Sequence, residues 1–364
     1  MPKILVVTQD LDFYSEKMLS GLSERGYDVA CVLDPQQREN FPKWKSGLHV
    51  IAQVPLRGRL DTKAAKQYVE IIKKHQPDVC LCYTSRALSI ALKARRIAGL
   101  KIPIIGTRGA VGGLSCWYIQ DWFSYLNPSL DCVVCLSDAI RNRLQREARR
   151  FWPDHPGKFV TIYPGYSSLL ATATKRDHHS RLSASPKIIT TIANERPIKG
   201  MTSLLDALEY HLQFRDWKLM WIGEISKATE ERINQSPTLS SRVICAGYRK
   251  DARELIAQAD IYVQPTLEPG EGIGNAVAEA MAAELPVVTS NIGGAPELVR
   301  PISPELLFEP ENPASLAFTL EKLLTNGDLC EQLGRAGAEV LSKKFRLNNE
   351  IQQYADLFEA HIFK

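Results

Sequence analysis

Short apolar runs rich in β-branched residues alternate with segments of helical periodicity along this chain, and the pattern occurs twice. In the first half the runs are Lys3–Thr8, Asp28–Leu33, Val79–Thr84, Ile102–Thr107, Cys132–Ser137 and Phe159–Tyr163. Between them, Tyr14–Arg25 has apolar residues at 14, 18, 19 and 22 and stops at Gly26, as helices often do. Tyr68–His75 and Ala87–Ala98 read the same way. In the second half the runs are Ile188–Ala193, Leu219–Gly223, Arg242–Gly247, Ile261–Thr266 and Pro286–Ser290. Strands that alternate with helices predict parallel, doubly wound sheets. The expected class is therefore α/β, with two Rossmann-like doubly wound domains.

A length of 364 residues suits two domains, each able to bury a core. The polar, weakly patterned stretch SSLLATATKRDHHSRLSASPK divides them. This predicts a first domain at 1–166, a linker at 167–186 and a second domain at 187–345, with a last helix in 346–364. His178-His179 lies in the linker, where solvent exposure is expected, because adjacent histidines cannot both face one metal from a helix or strand.

Composition excludes several classes. Apolar residues make up 45% and charged residues 24%, as in soluble globular proteins. No uninterrupted apolar run is long enough to span a bilayer, and MPKILVVTQDLDF lacks a signal-peptide pattern. A cytoplasmic protein is expected. The eight cysteines sit mostly in apolar strand-like runs. Cys132 and Cys135 should lie on opposite faces of one strand, so a redox or zinc pair is not expected. Residues 1–165 carry 24 Lys and Arg against 15 Asp and Glu, a balance of +9. The remainder carries 21 against 26, a balance of −5, which predicts different partners for the two halves.

Glu268–Gly294 reads EPGEGIGNAVAEAMAAELPVVTSNIGG. Gly270, Gly272 and Gly274 punctuate a turn that contains Glu271, and Asn275 opens a short helix expected to end at Pro286. Glycines let backbone N–H groups approach a ligand, and a helix N-terminus favours an anion. Glu279 stands about two helical turns on from Glu271, which points to a polar ligand with hydroxyls. A dinucleotide fingerprint is excluded, because Asn275 occupies the place of its third glycine. Upstream, Asn194-Glu-Arg-Pro-Ile-Lys-Gly200 links the first strand of the second half to a helix. Arg196 and Lys199 at the carboxyl end of a strand suit a diphosphate.

The run GEGIGNAVAEAMAAELPVVTSNIGGAPELV resembles the donor-site signature of glycosyltransferase family 4, retaining enzymes of the GT-B type. The resemblance implies that Glu271 holds donor-sugar hydroxyls and Glu279 the ribose diol. The backbone of Gly272, Ile273, Gly274 and Asn275 would face the sugar and its diphosphate. Lys199 and Arg196 would stabilise the leaving diphosphate, with Asn194 beside them, and Glu271, Lys199 and Arg196 form the expected catalytic group. Lys199-Gly200 matches the family, whereas Arg196 is three residues from Lys199 instead of the usual five. No metal or other cofactor is required on this scheme. The resemblance also implies that the two Rossmann-like domains face a cleft and that the last helix crosses back onto the first domain.

The first half departs from the family pattern. TQDLDFYSE after the first strand contains no glycine pair, and GTRGAVGGLSCWYIQDWFSYLNPSLDCVVCLSDAI contains no histidine. Arg108, Trp117, Tyr118 and Asp121 are the acceptor-side candidates there, with the aromatics equally readable as helix core. Five arginines between 141 and 150 lie on a predicted helix, Ala139–Phe151, and Lys93, Arg95 and Arg96 form a second basic cluster. Their plain reading is a solvated face, and the functional one is contact with anionic lipid at the inner face of a membrane. Asp10-Leu11-Asp12 is the only Asp-x-Asp and reads as a solvated turn. The expected function is transfer of a sugar from a nucleoside-diphosphate sugar to a glycan or lipid-linked acceptor, with no nucleic acid as partner. The alternatives are a nucleotide-sugar epimerase and a non-catalytic sugar-nucleotide-binding module.

Overall fold

The computed structural model describes residues 1–9, 11–35, 48–113, 115, 117–150, 158–166 and 186–363. The predicted linker at 167–186, apart from Pro186, lies outside them, as do His178, His179 and Asp10. The chain divides into two compact units, Met1–Gly165 with Leu347–Lys364, and Tyr166–Arg346.

In the first unit β1 (Lys3–Thr8), β2 (Asp28–Leu33), β3 (His49–Gln53), β4 (Val79–Cys82), β5 (Ile104–Arg108), β6 (Cys132–Cys135) and β7 (Phe159–Thr161) form one sheet. Its order is β3-β2-β1-β4-β5-β6-β7, and every pairing is parallel. The helices Thr62–His75 and Ser85–Ala98 and the helix Phe13–Glu24 put apolar side chains into cores on opposite faces. A sheet covered on both sides needs apolar residues at consecutive positions, hence VCLC in β4 and CVVC in β6. Cys135 belongs to one core and Cys132 to the other, as their odd spacing requires. β3 has no counterpart in the sequence reading. It is an edge strand whose HVIAQ is partly solvated, so it lacks the apolar run that marks the central strands.

The C-terminal helix Leu347–Ile362 completes the first unit. Ile351, Tyr354, Ala355 and Phe358 recur at helical spacing and are all buried in one of its cores. Gly21 lets this helix approach Phe13–Glu24 closely, since a Cβ there would stand 2.2 Å from the Ile351 Cδ1.

The second unit holds β8 (Lys187–Ile192), β9 (Trp217–Ile222), β10 (Val243–Gly247), β11 (Ile261–Gln264), β12 (Val287–Ser290) and β13 (Leu307–Phe308). The order β10-β9-β8-β11-β12-β13 is again parallel throughout. Strand order reverses between β1 and β4 in one sheet and between β8 and β11 in the other. In open α/β sheets, the crevice at the carboxyl ends beside such a reversal is where ligands bind.

Candidate active site

In the second unit that crevice is built by the segments leaving β8 and β11. The first runs Ala193–Arg196, then a single 3₁₀ turn, Pro197–Lys199, then Gly200 and the helix Met201–Asp206. Gly200 has a φ of 63°, and a Cβ there would lie 1.7 Å from the Pro265 carbonyl oxygen, just past the end of β11. Only glycine satisfies both demands. The Leu267 N–H donates to the Ile198 carbonyl at 2.8 Å, so the two segments are tied backbone to backbone and Lys199 is held beside Glu271.

The segment after β11 carries Glu271. Gly270, with φ 88°, lies against Gly293, with φ 73°, so closely that a Cβ on Gly270 would meet the Gly293 Cα at 2.7 Å. Gly294 N–H donates to the Glu271 carbonyl at 3.0 Å. The Gly270–Gly274 turn and the Gly293-Gly294 turn therefore serve one purpose, in which the loop after β12 clamps the loop after β11 and fixes the glutamate backbone.

The Glu271 carboxylate meets the Lys199 ammonium at 2.8 and 2.9 Å. It also accepts hydrogen bonds from Thr266 Oγ1 at 3.2 Å and Gln264 Nε2 at 3.4 Å, and the Arg196 guanidinium stands 3.9 Å away. Lys199 and Glu271 are 17% and 20% exposed, which leaves one edge of the pair open to a ligand, whereas Arg196 is 64% exposed and held only at long range. Beside them the helix Asn275–Ala282 begins at Gly274, which offers no capping side chain, so the first-turn N–H groups are not capped in that way. Cations, a carboxylate and uncapped N–H groups in one crevice can bind a molecule that is both anionic and rich in hydroxyls.

Glu271, Lys199 and Arg196 are thus brought together, with Gly272, Ile273, Gly274 and Asn275 in the adjoining turn and helix start. Ile273 is only 3% exposed, so its side chain anchors the turn. Asn275 accepts a hydrogen bond from the buried Tyr166 hydroxyl at 2.9 Å. Asn194 accepts from the Glu224 N–H at 3.0 Å and so holds the exit of β9. Glu279 pairs with Arg253 at 3.0 Å. Its helix ends at Ala282, before the expected stop at Pro286, because Glu284 takes a left-handed φ of 59°. Gln264, Thr266, Arg253 and Tyr166 were missed from the sequence. The first two were legible as polar residues where the apolar run of β11 ends, at the carboxyl edge of a parallel strand.

The first-unit candidates do not converge. Asp121 is 1% exposed, accepts from Ser115 N–H at 3.0 Å and faces Arg59 at 3.6 Å, so it shapes the loop and cannot meet a ligand from the surface. Arg108 donates to the carbonyls of Ala110 and Gly112 and lies over the Tyr125 ring. Trp117 and Tyr118 are 78% and 54% exposed, which removes the reading of both as helix core, because the helix there is a single turn, Ile119–Trp122. The basic clusters are also partly committed. Lys93 binds Leu60 O and Thr62 Oγ1, Arg95 binds Asp131, Arg141 meets Asp138 and Arg143 meets Glu147. Asp12 caps the helix Phe13–Glu24 through Ser15 N–H at 2.8 Å. Among the described residues no helix is long and apolar enough to cross a membrane.

The family model described as Glycosyltransferase Family 4 matches residues 14–167, and that described as Glycosyl transferases group 1 matches residues 186–326. The chain belongs to the family 4-type glycosyltransferases of the GT-B fold. Membership places it among transferase enzymes. Among named relatives, this glycosyltransferase is 25% identical over 178 residues to the N-acetyl-α-D-glucosaminyl L-malate synthase of Bacillus anthracis, spanning 49% of this chain and 46% of that one. It is 28% identical over 313 residues to a Bacillus subtilis protein described as a glycosyltransferase, EpsD, spanning 82% and 80%. The chain thus spans about half the length of the first relative and most of the second. HepE of Anabaena, crystallised with UDP, superposes with a TM-score of 0.79 at 19% identity over 99% of this chain and all of that one. The same protein has also been crystallised with UDP-glucose.

Proposed function

We propose that this glycosyltransferase moves a sugar from a nucleoside-diphosphate sugar to a hydroxyl of a glycan or lipid-linked acceptor, with retention of anomeric configuration. The observation that carries the proposal is the Lys199–Glu271 pair beside the uncapped start of the helix Asn275–Ala282. Glu271 orients the sugar through its hydroxyls, and Glu279, paired with Arg253, holds the ribose diol. Lys199, Arg196 and the helix N–H groups neutralise the departing diphosphate, as fixed donors aimed at developing charge do. The bond from the anomeric carbon to the diphosphate oxygen breaks while the acceptor oxygen bonds to the same face. The acceptor proton passes to the departing phosphate oxygen, so no protein nucleophile is needed. A nucleoside-diphosphate sugar as donor is supported by the UDP and UDP-glucose complexes of the Anabaena protein. No metal is assigned a role in this scheme. An anionic membrane surface is a further proposed partner of the basic first unit. The relatives named above do not favour an epimerase or a non-catalytic module.

A thermal-shift panel of nucleoside diphosphates and their sugars tests the donor, since a ligand at 100 times its Kd adds about 2.7 kcal/mol of stability. Stabilisation by one base series is expected, and its loss in Lys199→Ala ties binding to this crevice. With the donor in hand, proton NMR of the fresh product should report the donor's own anomeric configuration, and inversion would remove the retaining assignment. EDTA should leave turnover unchanged.

A further inference from the structure

Tyr166 is the first residue of the second unit and is completely buried. Its N–H donates to the carbonyl of the equally buried Phe345 at 2.8 Å, so it is held by its backbone as well as by its ring. A buried tyrosine hydroxyl needs a hydrogen-bond partner, and this one donates to Asn275 Oδ1 at 2.9 Å, 109 residues away in sequence. Asn275 opens the helix Asn275–Ala282, just past Glu271. An asparagine at a helix start tends to turn its side-chain oxygen onto nearby backbone N–H groups. Here no side chain caps the helix, and Tyr166 engages the Asn275 oxygen instead. The two amide N–H groups of Asn275, which diverge from that oxygen, make no hydrogen bond among the described residues. Asn275 is exposed, so these donors are open to a ligand at the same helix end.

We propose that Tyr166 is a positioning residue for the transfer reaction, whose hydroxyl holds the Asn275 carboxamide so that its amide N–H groups are presented to the donor's diphosphate. The Asn275 side chain is then a diphosphate contact in its own right, beside the backbone of that turn. This role rests on the donor reading above and deepens it by naming a side-chain donor and the residue that aims it. Lys199 shares its charge with Glu271 at 2.8 Å, so neutral donors add to what the phosphate oxygens find without adding another cation. Donors fixed in advance by buried partners need no reorganisation when the ligand arrives.

Calorimetric titration of UDP, GDP, ADP, CDP and dTDP into the full chain, each compared with its nucleoside, tests the proposal. Asn275→Asp keeps an acceptor for the Tyr166 hydroxyl and replaces the amide donors with a charged oxygen. It should leave the melting temperature of the ligand-free chain unchanged and weaken the bound diphosphate at least about tenfold, with nucleoside affinity unchanged. Tyr166→Phe should weaken the diphosphate by about three- to tenfold and again spare the nucleoside. In an Asn275→Ala background the same change should have no further effect on the diphosphate, because the group it positions is gone. Asn275→Asp binding the diphosphate as tightly as the wild type would overturn the role of the amide. An equal loss from Tyr166→Phe with and without the Asn275 side chain would show that the tyrosine acts through the fold alone, and would overturn its positioning role. If no diphosphate binds the wild type, the donor reading falls and this role with it, whereas wild-type binding with insensitive variants removes this role alone.

Discussion

Seven residues separate Glu271 from Glu279 in sequence, yet their surroundings differ enough to separate their effects on turnover. Glu271 is ringed by Lys199, Thr266 and Gln264, whereas Glu279 has Arg253. Glu271→Gln should lower kcat with little change in nucleotide affinity, because the amide keeps the shape but loses the charge that Lys199 and the sugar hydroxyls read. Glu279→Ala should weaken nucleotide binding by about 1–3 kcal/mol, the cost of a charged hydrogen bond, with a smaller effect on kcat. Steady-state kinetics and nucleotide titration of both variants check this, and unchanged kcat and KM in both would remove the site assignment. Gly200→Ala is a harsher change, since the added Cβ meets Pro265 O and the φ of 63° disfavours any side chain. Loss of more than about 2 kcal/mol of stability is expected, read by denaturant titration.

Among the elements, the C-terminal helix Leu347–Ile362 makes the most specific claim. Its seat on Phe13–Glu24 depends on Gly21 facing Ile351. Gly21→Ala should destabilise the chain by about 1–3 kcal/mol through overpacking, even though alanine favours a helix. Ile351→Ala opens the space the new methyl needs, so the double variant should lose less than the sum of the single losses. A double-mutant cycle by thermal or chemical unfolding measures that coupling, and strict additivity would show that the contact does not limit the approach of the two helices.

For the molecule as a whole, the same helix carries a group that ties stability to pH. Burial pushes the Glu350 carboxyl up from 4.5 to about 8, the Asp12 charge adds to this, and the hydrogen bond from Gly165 N–H at 2.8 Å works the other way. Between those two values the folded chain holds a proton that the unfolded chain has released. The unfolding free energy therefore falls as pH rises through that window. Glu350→Gln keeps an acceptor for Gly165 and removes the titration. The variant should gain on the wild type steadily from pH 5 to about pH 8, with melting temperatures compared at each pH. A difference that does not change with pH would refute the assignment.

Much of this architecture is written locally. Alternation of strand and helix, a consequence of side-chain period and burial, marked most strands of both sheets, because strands covered on both faces must be apolar at every position. The exceptions, β3 and β13, lie at sheet edges or are two residues long, where burial leaves little periodic trace. The glycine turns and Lys199-Gly200 could be named in advance because each answers a local backbone demand. What the sequence did not contain was the pairing. That Lys199 meets Glu271, 72 residues away, is decided by β8 and β11 lying side by side at the point where strand order reverses. Asp121 shows the same limit in the other direction, as a carboxylate in a flexible-looking loop that the fold buries against Arg59. Local patterns set which elements form, because they depend on near neighbours. Which side chains meet depends on sheet order, and that is settled only when distant strands pair and bury their faces together.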